Sequence, residues 1–239
     1  MKTVAVIPAR LASTRLKRKM LREIAGKPLV GWVYEAVRSS QALSDVIIAT
    51  DSDEILSVCQ AYGWKAQITS SEHRSGTERV QEISTHVQAD VYLNIQGDEP
   101  LTRPEQIAAL LEIMKDSSVP VGALKTLCPS EDVSNPNAVK VVTAANGRAL
   151  YFSRATIPFD RDSRGAQYFK HLGLYAYRKG ALDFFVTKPE SSLEKTERLE
   201  QLRFLENGIS IYVAETAYDS VGVDTEEDLQ RVEKILRAR

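Results

Sequence analysis

The stretch VAVIPARLASTRLKRKML, residues 4–21, decides the fold. Val4 to Ile7 form a short apolar run of strand character that ends at Pro8 and empties into a turn-rich loop crowded with positive charge. Between Arg10 and Lys27 stand Arg10, Arg15, Lys17, Arg18, Lys19, Arg22 and Lys27, opposed only by Glu23. In an α/β protein ligands bind at the carboxyl ends of strands, where Arg, Lys and backbone N–H groups suit an anion. The loop therefore calls for a phosphorylated ligand, against the bland alternative of a solvated basic face.

Working outward, strand and helix signals alternate. Leu29, Trp32, Val33, Ala36 and Val37 repeat at helical spacing, and Asp45 to Thr50 (DVIIAT) reads as a buried strand ending at Asp51. Residues 53–62 read as helix, Lys65 to Thr69 as extended, Thr77 to Val87 as helix, and Val91 to Ile95 as a strand stopping at Gln96-Gly97-Asp98-Glu99-Pro100. Such alternation implies an α/β fold with a mostly parallel sheet covered on both faces, which aligns Arg10, Asp51 and Asp98 along one sheet edge. The later half is more mixed: Val139 to Thr143, Ala149 to Ser153 and Lys170 to Tyr177 read as strands, with helices near 179–187, 196–206 and 225–237. The organisation expected is one domain carrying a substrate-binding insertion at about 126–215.

Composition narrows the ligand. With 239 residues, 26% charged and a formal net charge of −1, the chain is an ordinary globular protein whose positive charge is local. Extended nucleic-acid binding would need a basic face and a high pI, whereas the sequence pI is about 6.4. No run approaches the roughly 20 apolar residues of a membrane span, and Met1-Lys2 leads straight into a strand, so the expectation is a cytoplasmic protein without membrane contact. Cys59 and Cys128 have no nearby Cys or His and read as buried free thiols.

The loop lacks both G-x-x-x-x-G-K-[ST] and G-x-G-x-x-G, which removes a P-loop and a Rossmann dinucleotide site. It does supply Arg10, Ser13, Thr14, Arg15 and Lys19, enough donors to surround a triphosphate. Asp98 after one strand and Asp224 in VGVDTEED after another strand-like segment form the second element, although Asp98 competes with a helix N-cap reading and either Asp224 or Thr225 could cap the last helix. Magnesium favours a few carboxylates together with water and phosphate oxygens, so two strand-end aspartates opposite a basic loop read as a metal-nucleotide site.

Eight segments carry a family likeness: IPARLASTRL with Lys19 and Leu21, SGTER at 75–79, NIQGDEP at 94–100, NPNAVKVV at 135–142, ALYFSRATIPFDRD at 149–162, KHLGLYAYR at 170–178, LEQLRFLENG at 199–208 and GVDTEEDL at 222–229. In this order they resemble the 3-deoxy-manno-octulosonate (Kdo) cytidylyltransferases, or CMP-Kdo synthetases, nearly end to end. One departure is Lys17-Arg18-Lys19-Met20, where many members have Pro-Gly before the loop lysine and Pro after it.

The resemblance implies a Rossmann-like nucleotidyltransferase fold, Mg2+ as cofactor, a homodimer, and transfer of CMP from CTP to the anomeric hydroxyl of Kdo for lipopolysaccharide assembly. It implies that Arg10, Leu11, Ser13 and Lys19 contact the nucleotide, that Ser75 and Gly76 face the cytosine, and that Asp98 and Asp224 hold magnesium, with Lys19, Asp98 and Asp224 as the catalytic set. Gln96, Arg154, His171, Tyr175, Glu200 and Gln201 match positions around the sugar. The chemistry also fits two metal ions, one bridging the phosphates and one, on the aspartates, easing deprotonation of the sugar hydroxyl.

Arg154 suits a carboxylate because a planar guanidinium binds it through two parallel hydrogen bonds, with an ion pair to Asp160 or Asp162 as the competing reading. His171 sits in an apolar strand pattern that favours a satisfied core histidine, and Glu200 and Gln201 fall on what reads as a helix face. Two other functions stay open: a nucleotidylyltransferase for another acidic sugar (8-amino-Kdo, sialic acid) or a sugar phosphate, and a noncatalytic nucleotide-binding regulator.

Overall fold

The computed structural model describes residues 1–13 and 15–238. They divide into two compact units, Met1–Ala108 with Ser220–Arg239, and Ala109–Asp219. The segment read as an insertion, 126–215, falls inside the second. Among the described residues no helix is long and apolar enough to cross a membrane.

In the first unit the chain runs β1 (Thr3–Ala9), β2 (Glu23–Ile24), β3 (Lys27–Pro28), α1 (Leu29–Arg38), β4 (Asp45–Thr50), α2 (Asp53–Tyr62), β5 (Ala66–Ile68), α3 (Gly76–His86), β6 (Val91–Asn94) and the start of α4 (Pro104–Ile113). β1 pairs in parallel with both β4 and β6, and β4 with β5, giving the order β6-β1-β4-β5. The registers Val6↔Ile47 and Val4↔Tyr92 set apolar residues side by side, which is why these strands are continuously buried rather than alternating. Parallel pairing has a consequence for function: the carboxyl ends at Ala9, Thr50, Ile68 and Asn94 all reach the same edge, so the loops that follow them gather there.

Local chemistry explains the helix starts. Ser52 caps α2, and Ser75 caps α3 in a box with Glu78. The closing helix of this unit is capped by Thr225, again in a box, with Asp228. Its apolar face, Leu229, Val232 and Leu236, packs with Leu16, Ile24, Leu29, Leu101 and Val223 in one cluster. That packing ties the C-terminal segment to the chain around the basic loop.

The second unit contains β7 (Val121–Leu127), β8 (Lys140–Thr143), β9 (Ala149–Ser153), β10 (Phe169–Tyr177), α5 (Lys179–Thr187), α6 (Ser192–Glu197), α7 (Leu202–Glu206) and β11 (Ile211–Glu215), after which α8 (Glu226–Arg237) returns to the first unit. β7 pairs antiparallel with β10 and parallel with β11, while β8 pairs antiparallel with β9 and β10. The fold class is therefore α/β, with a parallel set of strands and a mixed remainder. Strands β7 and β11 and helix α4 fall outside the sequence reading above. The expected helix over 196–206 is two short helices instead, because Arg198 takes a left-handed conformation (φ 56°) that ends α6.

His171 is buried in β10, edge-on to Phe152 at 4.9 Å. Its Nδ1 lies 3.2 Å from the Leu124 carbonyl and its Nε2 2.7 Å from the Tyr175 hydroxyl. A carbonyl can only accept, so Nδ1 carries the proton and Nε2 accepts from Tyr175. Burial pushes the imidazole pKa down to about 4, with the Leu124 hydrogen bond pulling the other way. A histidine depressed on folding contributes stability that is complete above the unfolded value near 6.5 and is lost as pH falls toward 4, by roughly 3 kcal/mol. Denaturant unfolding of the wild type should weaken steeply over that window, and His171→Gln should flatten the profile there. An unchanged profile would mean that the ring does not fold in neutral.

Candidate active site

The loops gathered at the carboxyl edge of the first unit line a cleft of about 670 Å³ that includes Arg10, Ser13, Lys19, Gln96, Asp98 and Asp224. Arg10 follows β1, Asp51 follows β4 and Asp98 follows β6, as the strand-end reading expects. Thr14, counted among the loop donors, lies outside the described residues.

At the cleft's centre is the Lys19 ammonium. Its Nζ donates to Asp98 Oδ2 at 2.5 Å and to Asp224 Oδ1 at 3.0 Å, and Arg15 adds a 2.9 Å ion pair to the same Asp224 oxygen. The Lys19 side chain is only 10% exposed. Burial alone would lower its pKa, but the Asp98 charge, followed by the hydrogen bonds to Asp98 and Asp224, outweighs this and holds it above the ordinary lysine value. The ammonium is thus charged across the physiological range.

Neither aspartate is a helix cap. Thr225 takes that position on α8, which leaves the Asp224 carboxylate free to face Lys19. The Asp98 carbonyl accepts the Val223 N–H at 2.9 Å, a backbone bond that brings the two acidic segments together. Between them, Gly97 lets the backbone pass close to β1, since a Cβ there would lie 2.7 Å from the Pro8 carbonyl oxygen and 3.0 Å from Met20 Sδ. Gly97→Ala should therefore displace the end of β1, lower stability by about 1–3 kcal/mol and raise the Michaelis constant for the nucleotide. Thermal unfolding and initial-rate kinetics check both, and a variant matching the wild type in each would refute the close approach.

The rest of the basic run is less free than its count suggests. Arg18 pairs with Glu54, Arg22 with Glu226 and Lys27 with Glu35. These partners come from α1, α2 and α8, so a local charge count overstates the cation available to a ligand. Arg18 also adopts the left-handed region, φ 54° and ψ 36°, immediately before Lys19. A glycine would take this conformation freely, so a residue with a Cβ carries a cost of about 1 kcal/mol there.

Other sequence-derived positions are placed as follows. Leu11 turns its N–H toward Asp51 Oδ1 at 3.4 Å. Ser75 accepts the Glu78 N–H as the α3 cap, and Gly76 lines the cleft. In the second unit, the Arg154 guanidinium donates to the carbonyls of Glu197 (2.7 Å), Pro136 (2.9 Å) and Arg198 (3.3 Å). The alternative ion pair with Asp160 or Asp162 does not form, because Asp160 accepts the backbone N–H groups of Arg164, Gly165 and Ala166 while Asp162 pairs with Arg164. Glu200 and Gln201 lie in the turn between α6 and α7, not on a helix face. His171 and Tyr175 bond to each other on β10. Both cysteines are buried and free, and burial pushes the Cys59 thiol up to about 11.

One residue of this edge, Arg79, is absent from the sequence-derived site. Arg79, on α3, lines the cleft and is 1% exposed, held by Asp51 at 2.5 Å. The strand-end position of Asp51 was the available signal, while nothing local in SGTER separates Arg79 from a solvated helix residue.

Comparison with known proteins gives a consistent result. The cytidylyltransferase family model matches residues 4–211. A 3-deoxy-manno-octulosonate cytidylyltransferase of Koribacter versatilis (strain Ellin345) is 65% identical over 239 residues, covering 100% of this chain and 91% of that protein. One of Acidobacterium capsulatum is 55% identical over 237 residues, covering 99% and 97%. A solved structure of CMP:2-keto-3-deoxy-manno-octonic acid synthetase complexed with CTP superposes with a TM-score of 0.96 at 41% identity, covering 100% of this chain and 99% of that one. With likeness of this degree along its whole length, the chain belongs to the 3-deoxy-manno-octulosonate cytidylyltransferase family.

Proposed function

We infer that the protein transfers CMP from CTP to the anomeric hydroxyl of Kdo, releasing pyrophosphate and forming CMP-Kdo for lipopolysaccharide assembly. The observation that carries the reading is the convergence of Lys19, Asp98 and Asp224 in a cleft rimmed by Arg10 and Ser13. An anomeric hydroxyl is a weak nucleophile and CTP is strongly anionic, so the catalyst must neutralise phosphate charge and hold the hydroxyl in line with the α-phosphorus. Arg10, Ser13 and Lys19 supply charge and donors for the triphosphate. Leu11 shapes the loop, and Ser75 with Gly76 faces the base.

The acidic pair fits magnesium: two carboxylates share one cation in the structure, and both offer hard oxygen donors. Magnesium takes much of its coordination from water and phosphate oxygens, so one or two carboxylates suffice on the protein side. Asp98 and Asp224 would hold it. Bound there, magnesium supplies charge neutralisation and a lowered pKa for an oxygen it contacts.

Gln96, Arg154, His171, Tyr175, Glu200 and Gln201 are assigned to Kdo. His171, neutral and engaged at both nitrogens, serves to orient the Tyr175 hydroxyl and does not act as a base. Arg154 clasps the carbonyls of Glu197 and Arg198, which presents the following Glu200-Gln201 turn. We assign the protein to the cytoplasm as a homodimer, following the family resemblance.

The deciding experiment is pyrophosphate release with CTP, magnesium and a panel of Kdo, 8-amino-Kdo and sialic acid. Kdo should be the preferred acceptor. Preference for another sugar would reassign the acceptor, and nucleotide binding without release from any sugar would make the protein a regulator.

A further inference from the structure

Arg79 has no part in the reaction described above, yet it is a buried charged side chain in the wall of the cleft. Its Nη2 meets Asp51 Oδ2 at 2.5 Å, and its Nη1 donates to Thr69 Oγ1 at 2.7 Å and to the Ser70 carbonyl at 3.2 Å. Thr69 is itself bonded to the end of β4, its N–H reaching the Thr50 carbonyl at 2.7 Å. The second oxygen of Asp51 accepts the Leu11 N–H from the loop after β1. One guanidinium therefore gathers the loops that follow β4 and β5 and, through Asp51, the loop that follows β1. Arg79 is also the fourth residue of α3, whose first turn carries Ser75 and Gly76.

A buried ion pair is often no better for stability than apolar side chains of the same volume, so its presence at this junction points to geometry. We propose that Arg79 and Asp51 are positioning residues for the nucleotide: together they fix the phosphate-facing loop at Leu11 relative to the base-facing turn at Ser75-Gly76. The inference rests on the assignment of this cleft to CTP. A nucleotide that must satisfy both ends at once loses affinity when their spacing is released, whereas the sugar does not depend on it.

Asp51→Asn is the sharpest test, because it keeps the size of the side chain but leaves one acceptor oxygen for two donors. With wild-type pyrophosphate release from CTP and Kdo as reference, Asp51→Asn should raise KM for CTP about tenfold and leave KM for Kdo within twofold. Arg79→Lys, which keeps the charge and loses the fork, should do the same. The double variant should show one tenfold loss, not the product of two, because both changes cut the same connection.

An unchanged KM for CTP, equal losses for CTP and Kdo, or multiplying effects would each overturn the proposal. If Asp51→Asn fails to give a cooperative melting transition, Arg79→Lys is judged by the same CTP-against-Kdo criterion. Failure of both to fold would make the pair structural and likewise overturn it. Absence of release by the wild type would instead refute the assignment of the reaction.

Discussion

Asp224→Asn is expected to lower turnover by about three orders of magnitude while changing CTP affinity by less than about fivefold, a loss of roughly 4 kcal/mol of transition-state stabilisation. The substitution is clean for a structural reason. Thr225, not Asp224, caps α8, so the helix start survives the loss of the carboxylate charge. The amide retains an oxygen for Lys19 and Arg15, which now lie 3.0 and 2.9 Å from Asp224 Oδ1. What disappears is half of the acidic pair assigned to magnesium. Single-turnover kinetics with calorimetric titration of CTP separates the two effects. A turnover within tenfold of the wild type would remove Asp224 from the chemistry.

Lys19→Met should have the second large effect, in two measurements. Loss of the cation assigned to the leaving phosphates should reduce kcat/KM for CTP by about two to three orders of magnitude. It also leaves Asp98 and Asp224 facing each other, with Arg15 on Asp224 alone. Two ionised carboxylates left without their shared cation repel each other, which destabilises the folded variant. The deficit relative to the wild type grows with the carboxylate charge and so is larger at pH 8 than at pH 4. Because the two side chains are 26% and 37% exposed, solvent screening limits the deficit to about 1 kcal/mol. Thermal unfolding across that range gives the sign, and a deficit that shrinks with rising pH would contradict the electrostatic account.

Much of the architecture is legible in the residues. DVIIAT and VYLN are continuous apolar runs because both faces of a parallel strand are covered, and each ends in a polar residue at the ligand edge. The breaks in legibility are equally specific. The 196–206 stretch has helical periodicity throughout, yet the left-handed Arg198 splits it, and the side chain of Arg154 holds the carbonyls at the break. Strand β11 and helix α4 carry weaker local signals, and their place depends on the elements they meet.

The site shows the same division. Arg10, Ser13, Lys19, Asp98 and Asp224 were all named from strand-end position and residue type, but their pairing was not. Lys19 meets Asp98 and Asp224 across sequence separations of 79 and 205 residues. Of the two residues that could cap α8, Thr225 does so and Asp224 does not, and Arg154 holds neither Asp160 nor Asp162.

By itself the sequence determined the β-α-β order, the edge on which the loops collect and the cationic character of the first loop, because hydrophobic period and turn chemistry act over a few neighbouring residues. Only the tertiary structure decided which charges cancel, that Asp98 and Asp224 both face Lys19 while Thr225 caps α8, and that Arg79 reaches the first loop through Asp51. Such choices arise from contacts between residues far apart in the chain, whose energies depend on burial and distance.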